Sequence, residues 1–255
     1  MPELSAVDWS AVLPFIAIGF AAQLVDGALG MAFGVICNTL LVAVAGLPPA
    51  RASANVHIVE VFTTAASGIS HSLARNIDPG LLLRLLLPGI AGGVTGAFLL
   101  TNLDGEVVRP FVLAYLIAIG LYLLTRGVLG VPRPRRPRHV EPLGLVGGLL
   151  DAVGGGGWGP IVTSNLLVQG LEPRRVVGTV NAVEFFLTLT VSATFILRLG
   201  WEAVALATVG LVIGGVLAAP LGAMLAQRVP ARWLLTFVGA VLVATSGFAL
   251  AGAFR

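Results

Sequence analysis

The chain has 255 residues, of which 57% are hydrophobic and 11% charged, with 33 glycines and a mean hydropathy of +0.98. A soluble domain carries about 25% charged and about 45–50% apolar residues, so this balance excludes an ordinary water-soluble enzyme and points to a membrane protein. All 15 basic residues are arginines. They sit between apolar runs rather than along one stripe, which excludes a nucleic-acid footprint. Cys37 is the single cysteine and lies inside an apolar run, leaving no intrachain disulfide and no zinc cluster.

The opening Met-Pro-Glu-Leu-Ser-Ala-Val-Asp carries Glu3 and Asp8 and lacks the basic region of a signal or transit peptide. It is expected to be the mature end of a plasma-membrane protein. A membrane-crossing helix needs about 20 mainly apolar residues, and ten such segments follow. The first five run over 10–29, 31–46, 54–73, 80–101 and 107–129, and the second five over 142–157, 159–170, 177–199, 202–226 and 231–252. Between the sets lies a Pro/Arg stretch with Arg133, Arg135, Arg136 and Arg138, too polar to insert and too short for a domain. The expected organisation is a first repeat over 1–129, a basic cytoplasmic linker over 130–141 and a second repeat over 142–255.

The two halves share a pattern. Asp26 precedes one Gly-rich turn and Asp151 another, at an offset of 125, and Gly30 and Gly34 match Gly155 and Gly159 at the same offset. His57, Glu60 and Thr64 correspond to Asn181, Glu184 and Thr188 at an offset of 124. Such internal symmetry typifies secondary transporters. With the linker inside and an odd number of crossings per repeat, 11 of the 15 arginines fall on the inner side, as the positive-inside rule requires. The expected fold is an all-α polytopic membrane protein of two inverted-topology repeats, each of about five hydrophobic segments with Gly-rich helix breaks. The first two segments of each repeat are short, so they form either two spans or a re-entrant hairpin.

Four carboxylates lie within apolar segments: Asp26, Glu60, Asp151 and Glu184. An ionised carboxylate at mid-membrane costs about 2.5–3.5 kcal/mol on insertion scales, so these acids demand partners, water or a proton. They are candidates for proton coupling or for structural roles. As structural acids, Asp26 and Asp151 would cap helices at their Gly turns, and Glu60 and Glu184 would sit in first helical turns, where Asn181-x-x-Glu184 resembles a capping box. The third segment also carries His57, Glu60, Thr64, Ser67 and His71 on one helical face, and the eighth carries Asn181, Glu184, Thr188 and Ser192. These stripes suit either interhelical hydrogen bonding or the lining of a substrate cavity near the midplane. His57 and His71 are titratable imidazoles.

Gly154-Gly155-Gly156-Gly157-Trp158-Gly159-Pro160 cannot continue a helix cheaply, so a break is predicted there, with Pro160 in the first turn of a new helix. Backbone N–H groups at that new terminus, beside Thr163, Ser164 and Asn165, suit an oxyanion. The first-repeat counterpart is Gly27 to Gly34, followed by Cys37, Asn38 and Thr39. The same glycines would serve close packing, as would Gly89-x-x-x-Gly93 and Gly210-x-x-x-Gly214. Neither an ATP P-loop nor a His-Glu-x-x-His or Gly-x-Ser-x-Gly string occurs. No catalytic residue, metal or cofactor is expected.

Ala-Ser-Ala-Asn-Val-His-x-x-Glu at 52–60, Ala-Ser-Gly-Ile-Ser-His at 66–71 and Asp-Ala-Val-Gly-Gly-Gly-Gly-Trp-Gly-Pro at 151–160 carry a resemblance. With the two-fold repeat and the Asp before each Gly-rich turn, the chain resembles the sulfite exporter TauE/SafE family, also called the 4-toluene sulfonate uptake permeases, from about Ile16 to Leu250. The resemblance implies a multi-pass permease of the bacterial inner membrane for sulfite, sulfonates or related small organic anions, exporting them if the family name is followed. The expected site places an anion near Asn38, His57, Gly156, Gly157, Trp158, Thr163, Ser164, Asn165 and Asn181. Cys37, Thr64, His71 and Thr188 are further substrate-facing candidates. Glu60 and Glu184 suit proton coupling. The alternatives are a passive anion channel and a non-transporting membrane subunit, and the Gly-x-x-x-Gly surfaces permit a homodimer.

Overall fold

In lipid a backbone must satisfy its own N–H and C=O groups, which leaves helices as the form for runs this apolar. The computed structural model describes residues 9–253 apart from 30, 74, 130–137, 164, 167–168, 170, 172, 202–203, 205 and 227–230, and no strand occurs among the described residues. The first half comprises α1 (Trp9–Leu29), a short α2 (Phe33–Thr39) continued by a π turn (Leu40–Val44), α3 (Pro49–Leu73), α4 (Pro79–Asn102) and α5 (Gly105–Leu129). The second comprises α6 (Val140–Gly154), a π turn (Gly159–Thr163), α7 (Pro173–Leu199), α8 (Leu206–Ala226) and α9 (Ala231–Ala253).

Among the described residues three helices are long and apolar enough to cross a membrane: α4, α5 and the Arg175–Leu199 part of α7. Large apolar side chains such as Leu83, Leu87, Phe98, Phe111 and Leu197 stand exposed on them, as a lipid-facing surface requires. α2 and its π turn hold 7 and 5 residues. At about 1.5 Å of rise each they fall well short of about 30 Å of hydrocarbon, so this segment does not cross alone.

One boundary expectation is overturned. α3 and α7 start at Pro49 and Pro173, ahead of the predicted 54 and 177, because proline suits a first helical turn and Arg51, Arg174 and Arg175 do not stop a helix that begins outside the apolar layer. Glu60, Asn181 and Glu184 therefore lie deep within their helices, and the capping-box reading of the Glu pair fails. A true cap stands elsewhere: Asp78 accepts from the N–H groups of Gly80 and Leu81 at 3.0 and 3.1 Å and starts α4.

α1 packs on α8, α4 on α6, α5 on α9, and α3 on α7. Exchanging each helix for its counterpart in the other half leaves this set of pairs unchanged. The α1–α8 and α4–α6 pairs run parallel, with Gly210 on Val12 and Gly214 on Ile16 in one, and Gly92 on Leu145 and Gly96 on Leu149 in the other. The α5–α9 pair runs antiparallel, Gly120 lying on Gly239 and Gly127 on Arg232. α3 and α7 are antiparallel too, since Gly178 abuts Asn76 while His57 lies 6.0 Å from the Phe195 ring.

Charged groups gather at the helix ends. Arg84 donates to Glu141 through Nε at 2.6 Å and Nη2 at 3.1 Å, and Arg175 lies 3.9 Å from Asp78. The Arg84 hydrogen bonds hold the exposed Glu141 carboxyl down at about 2. At the opposite ends of α4 and α7, Arg198 donates to Asn102 Oδ1 at 2.5 Å. Of the linker, residues 130–137 lie outside the described residues.

A β-carbon at Gly148 would overlap the Gly89 carbonyl and reach Gly93 N at 3.0 Å, whereas one at Gly247 would meet nothing within 4 Å. Gly148→Leu is expected to cost more than the about 1–3 kcal/mol typical of overpacking, with Gly247→Ala within about 0.5 kcal/mol of neutral. Thermal unfolding in detergent measures both, and equal melting temperatures would refute the close-packed α4–α6 contact.

Candidate functional site

The centre is built from the two places where a helix stops. α6 ends on Gly155 and Gly156, whose φ angles of +63° and +130° favour glycine. Asp151, one turn before that end, accepts the N–H of Trp158 at 2.9 Å. In the first half Asp26 accepts the N–H of Phe33 at 3.2 Å. Each carboxylate thus caps the helical segment that begins seven residues later, as the capping reading of the Asp pair expects. The first amide of each new terminus, an expected anion donor, is already engaged.

The two breaks touch. A β-carbon at Gly34 would lie 2.7 Å from Gly156 Cα and 2.6 Å from Glu60 Oε1, and one at Gly159 would lie 2.8 Å from Met31 Cβ. These contacts are images of one another at the offset of 125. Backbone meets backbone where both helices are interrupted.

Three side chains of the first half reach the end of α6. Ser53 Oγ donates to Ala152 O at 2.6 Å, His57 Nε2 lies 3.1 Å from Asp151 Oδ2, and Asn38 Nδ2 donates to Gly154 O at 2.5 Å. Tyr115 of α5 adds a hydroxyl bond to Gly156 O at 3.3 Å and lays its ring against Gly154. The second half differs. Asn181, standing where His57 does, donates to Val177 O in its own preceding turn at 2.9 Å. Val177 stands where Ser53 does and has no hydroxyl.

The four acids form one cluster. Glu60 lies within electrostatic reach of Asp151, Glu184 and Asp26, and Glu184 within reach of Asp151 and Asp26. Their exposure splits them: Glu60 and Asp151 are 4% and 1% exposed, while Asp26 and Glu184 are partly exposed. Around them are buried polar atoms without a hydrogen-bond partner among the described residues, namely Asn38 Oδ1, Thr39 Oγ1, Glu60 Oε2, Thr163 Oγ1 and Ser192 Oγ. Asn38 and Thr163 are counterparts in the two halves.

Other expected site residues are placed differently. Trp158 is wholly buried, with its indole N–H on Val180 O at 3.3 Å and its ring against Gly89 and Gly147. Gly156 and Gly157 are covered by Gly34 and Tyr115. These three residues shape the break. Thr64 donates to Glu60 O at 2.5 Å and Thr188 to Phe185 O at 3.2 Å, within their own helices. Cys37 is fully buried in the apolar core. His71 sits at the far end of α3 beside Asn76, 3.3 Å away. Asn165 is exposed and accepts from Gln169 at 3.1 Å. Ser164 lies outside the described residues. Tyr115 was not singled out by the sequence, where a lone Tyr in an apolar run carries no distinguishing signal. Ser53 was legible only as part of the 52–60 string.

The family described as Sulfite exporter TauE/SafE matches residues 15–249, and the chain belongs to that family. It is also 42% identical over 241 residues to the Probable membrane transporter protein YtnM of Bacillus subtilis (strain 168), across 91% of this chain and 80% of that protein. No solved structure matches the chain. With its apolar helices, the chain is a multi-pass membrane protein of a transporter family.

The unequal surroundings of the two capping carboxylates separate their worth. Asp26→Ala is expected to cost about 1 kcal/mol, the loss of a cap. Asp151→Ala is expected to cost about 3–5 kcal/mol, because it also leaves buried His57 without its partner. Denaturant unfolding in mixed micelles compares the two, and equal losses would sink the distinction.

Proposed function

We propose that this membrane transporter is a secondary carrier that exports sulfite or a related small sulfur-containing or organic anion, coupled to protons. The observation that carries the reading is the meeting of two helix breaks beside four acids and buried polar groups that lack a partner among the described residues. Broken helices at a repeat interface are where transporters of this architecture place their substrate. Asn38, Thr163 and Thr39 are the side chains best placed to meet it, with Asn181 and its helix on the more accessible side. Irregular backbone is tolerated in a membrane only where protein buries it or water reaches it.

The family name supports the substrate class and the direction. The acids support the coupling, since carboxylates in a membrane interior need a proton or a counter-charge. The two halves are proposed to be inverted-topology repeats. Supporting this are the antiparallel α3–α7 and α5–α9 pairs and the unchanged packing set on exchange of halves. The arginine distribution supports an inner-membrane chain with its linker in the cytoplasm.

Purified protein in liposomes is expected to show saturable sulfite flux that responds to an imposed pH gradient. Flux that neither saturates nor responds would mean a passive channel. No flux of any sulfur oxyanion would move the substrate to another small anion or make the chain a non-transporting subunit.

A further inference from the structure

His57 is wholly buried, and each ring nitrogen faces a protein oxygen. Nδ1 lies 2.8 Å from the Ser53 carbonyl oxygen, which only accepts. It also lies 3.3 Å from Ser53 Oγ, whose own proton goes to Ala152 O at 2.6 Å, so the hydroxyl too faces the ring as an acceptor. Nδ1 therefore carries a hydrogen. Nε2 sits 3.1 Å from Asp151 Oδ2. A neutral ring with its hydrogen on Nδ1 has a bare lone pair on Nε2, and an ionised carboxylate offers only lone pairs. One further proton must lie between them, on Nε2 or on Oδ2, and the count is the same either way.

Without that proton the contact has no good form. Moving the ring hydrogen to Nε2 satisfies Asp151 but turns a lone pair on Nδ1 toward the Ser53 carbonyl. Keeping it on Nδ1 sets lone pair against lone pair at 3.1 Å. The contact binds α3 to the last turn of α6, flanked by the Ser53 and Asn38 bonds to Ala152 O and Gly154 O. Its image lacks all three links among the described residues: Asn181 turns to Val177 O, Val177 offers no hydroxyl, and Thr163 Oγ1 finds no partner there. The acids on the linked side, Glu60 and Asp151, are buried, while those on the unlinked side, Asp26 and Glu184, are partly exposed.

We propose that His57 and Asp151 jointly hold the coupled proton, as a clasp that ties α3 to the break after α6 while the proton is bound and opens when it leaves to water. This rests on the anion-carrier reading and deepens it by naming the two residues that hold the proton. The other groups facing the pair are Glu60 on the same helix, Glu184 and the Phe195 ring from α7, and the Tyr115 phenol from α5, with Asp26 from α1 beyond them, acting on Glu60 and Glu184. None of these brings a positive charge. An anion entering this acidic cluster meets least repulsion while the clasp keeps its proton, which puts anion and proton on the same leg of the cycle.

Two variants remove the proton yet keep a hydrogen bond. In Asp151→Asn the amide N–H donates to Nε2 of a neutral ring while its oxygen still accepts from Trp158. In His57→Asn the amide donates to the Asp151 carboxylate. Liposomes carrying the full chain and an internal pH dye, with sulfite as the probe, give protons moved per anion. Both variants are expected to lose proton movement, and His139→Gln, exposed at the start of α6, to keep it. Unchanged coupling in both variants would overturn the proposal.

A second measurement needs no substrate: melting temperature in detergent across a pH series. A contact that includes a proton is intact at low pH and lost as pH rises. Wild-type protein is therefore expected to lose more stability on raising the pH than Asp151→Asn does. Identical pH profiles would overturn the clasp whatever the chain transports. Differing profiles without sulfite flux would support the clasp and overturn the substrate instead.

Discussion

A helix that stops inside a membrane leaves N–H groups with nothing to bond, and this chain begins two new helical segments near its centre. Each is answered by a carboxylate from the helix before the break, Asp26 for Phe33 and Asp151 for Trp158. That solution brings ionisable groups to where ionisation is costly. Much of the central polar chemistry answers that cost: His57 stands against Asp151, and Ser53 orients His57. The second carboxylate, Asp26, is left partly exposed instead. One backbone constraint thus places two of the four acids, Asp26 and Asp151, at the centre of the site.

The breaks meet because nothing projects between them. Gly34, Gly156 and Gly159 let backbones approach to distances that any β-carbon would prevent. The same rule operates at the helix pairs that carry the breaks, where glycines of α4, α6 and α8 lie on neighbouring carbonyls. Lipid offers no hydrophobic drive for helix association, so small residues and close van der Waals contact supply it. Small residues therefore define both the scaffold and the centre.

What the sequence made legible was local. Apolar runs, glycine breaks and the Asp ahead of each break follow from short-range chemistry, and the matching offsets of the two halves needed only comparison along the chain. The starts of α3 and α7 are not legible because Arg51, Arg174 and Arg175 lower the apolar signal of the first turns. The glycines beside Trp158 make it a ligand candidate in the sequence, yet they belong to the break, while Gly89 and Gly147 form the slot for its ring. Tyr115 gave no signal at all. Its partner is the backbone of Gly156, 41 residues on, and no pattern within α5 encodes that.

The positions at which the halves differ are more informative than those at which they agree. Asp26 with Asp151 and Glu60 with Glu184 are matched pairs, and they give each half a similar framework. His57 against Asn181, Ser53 against Val177, and Asn38 against Thr163 are mismatches, and all three fall on a single contact with the end of α6. Matched donors in both halves would make the two mirror arrangements of the breaks equal in energy. Unequal donors bias one arrangement, and a bias that includes a proton changes when the proton leaves. A ligand shifts such an equilibrium only by its differential affinity for the two states, and a bound proton at His57–Asp151 has that property because the contact has no satisfactory form without it.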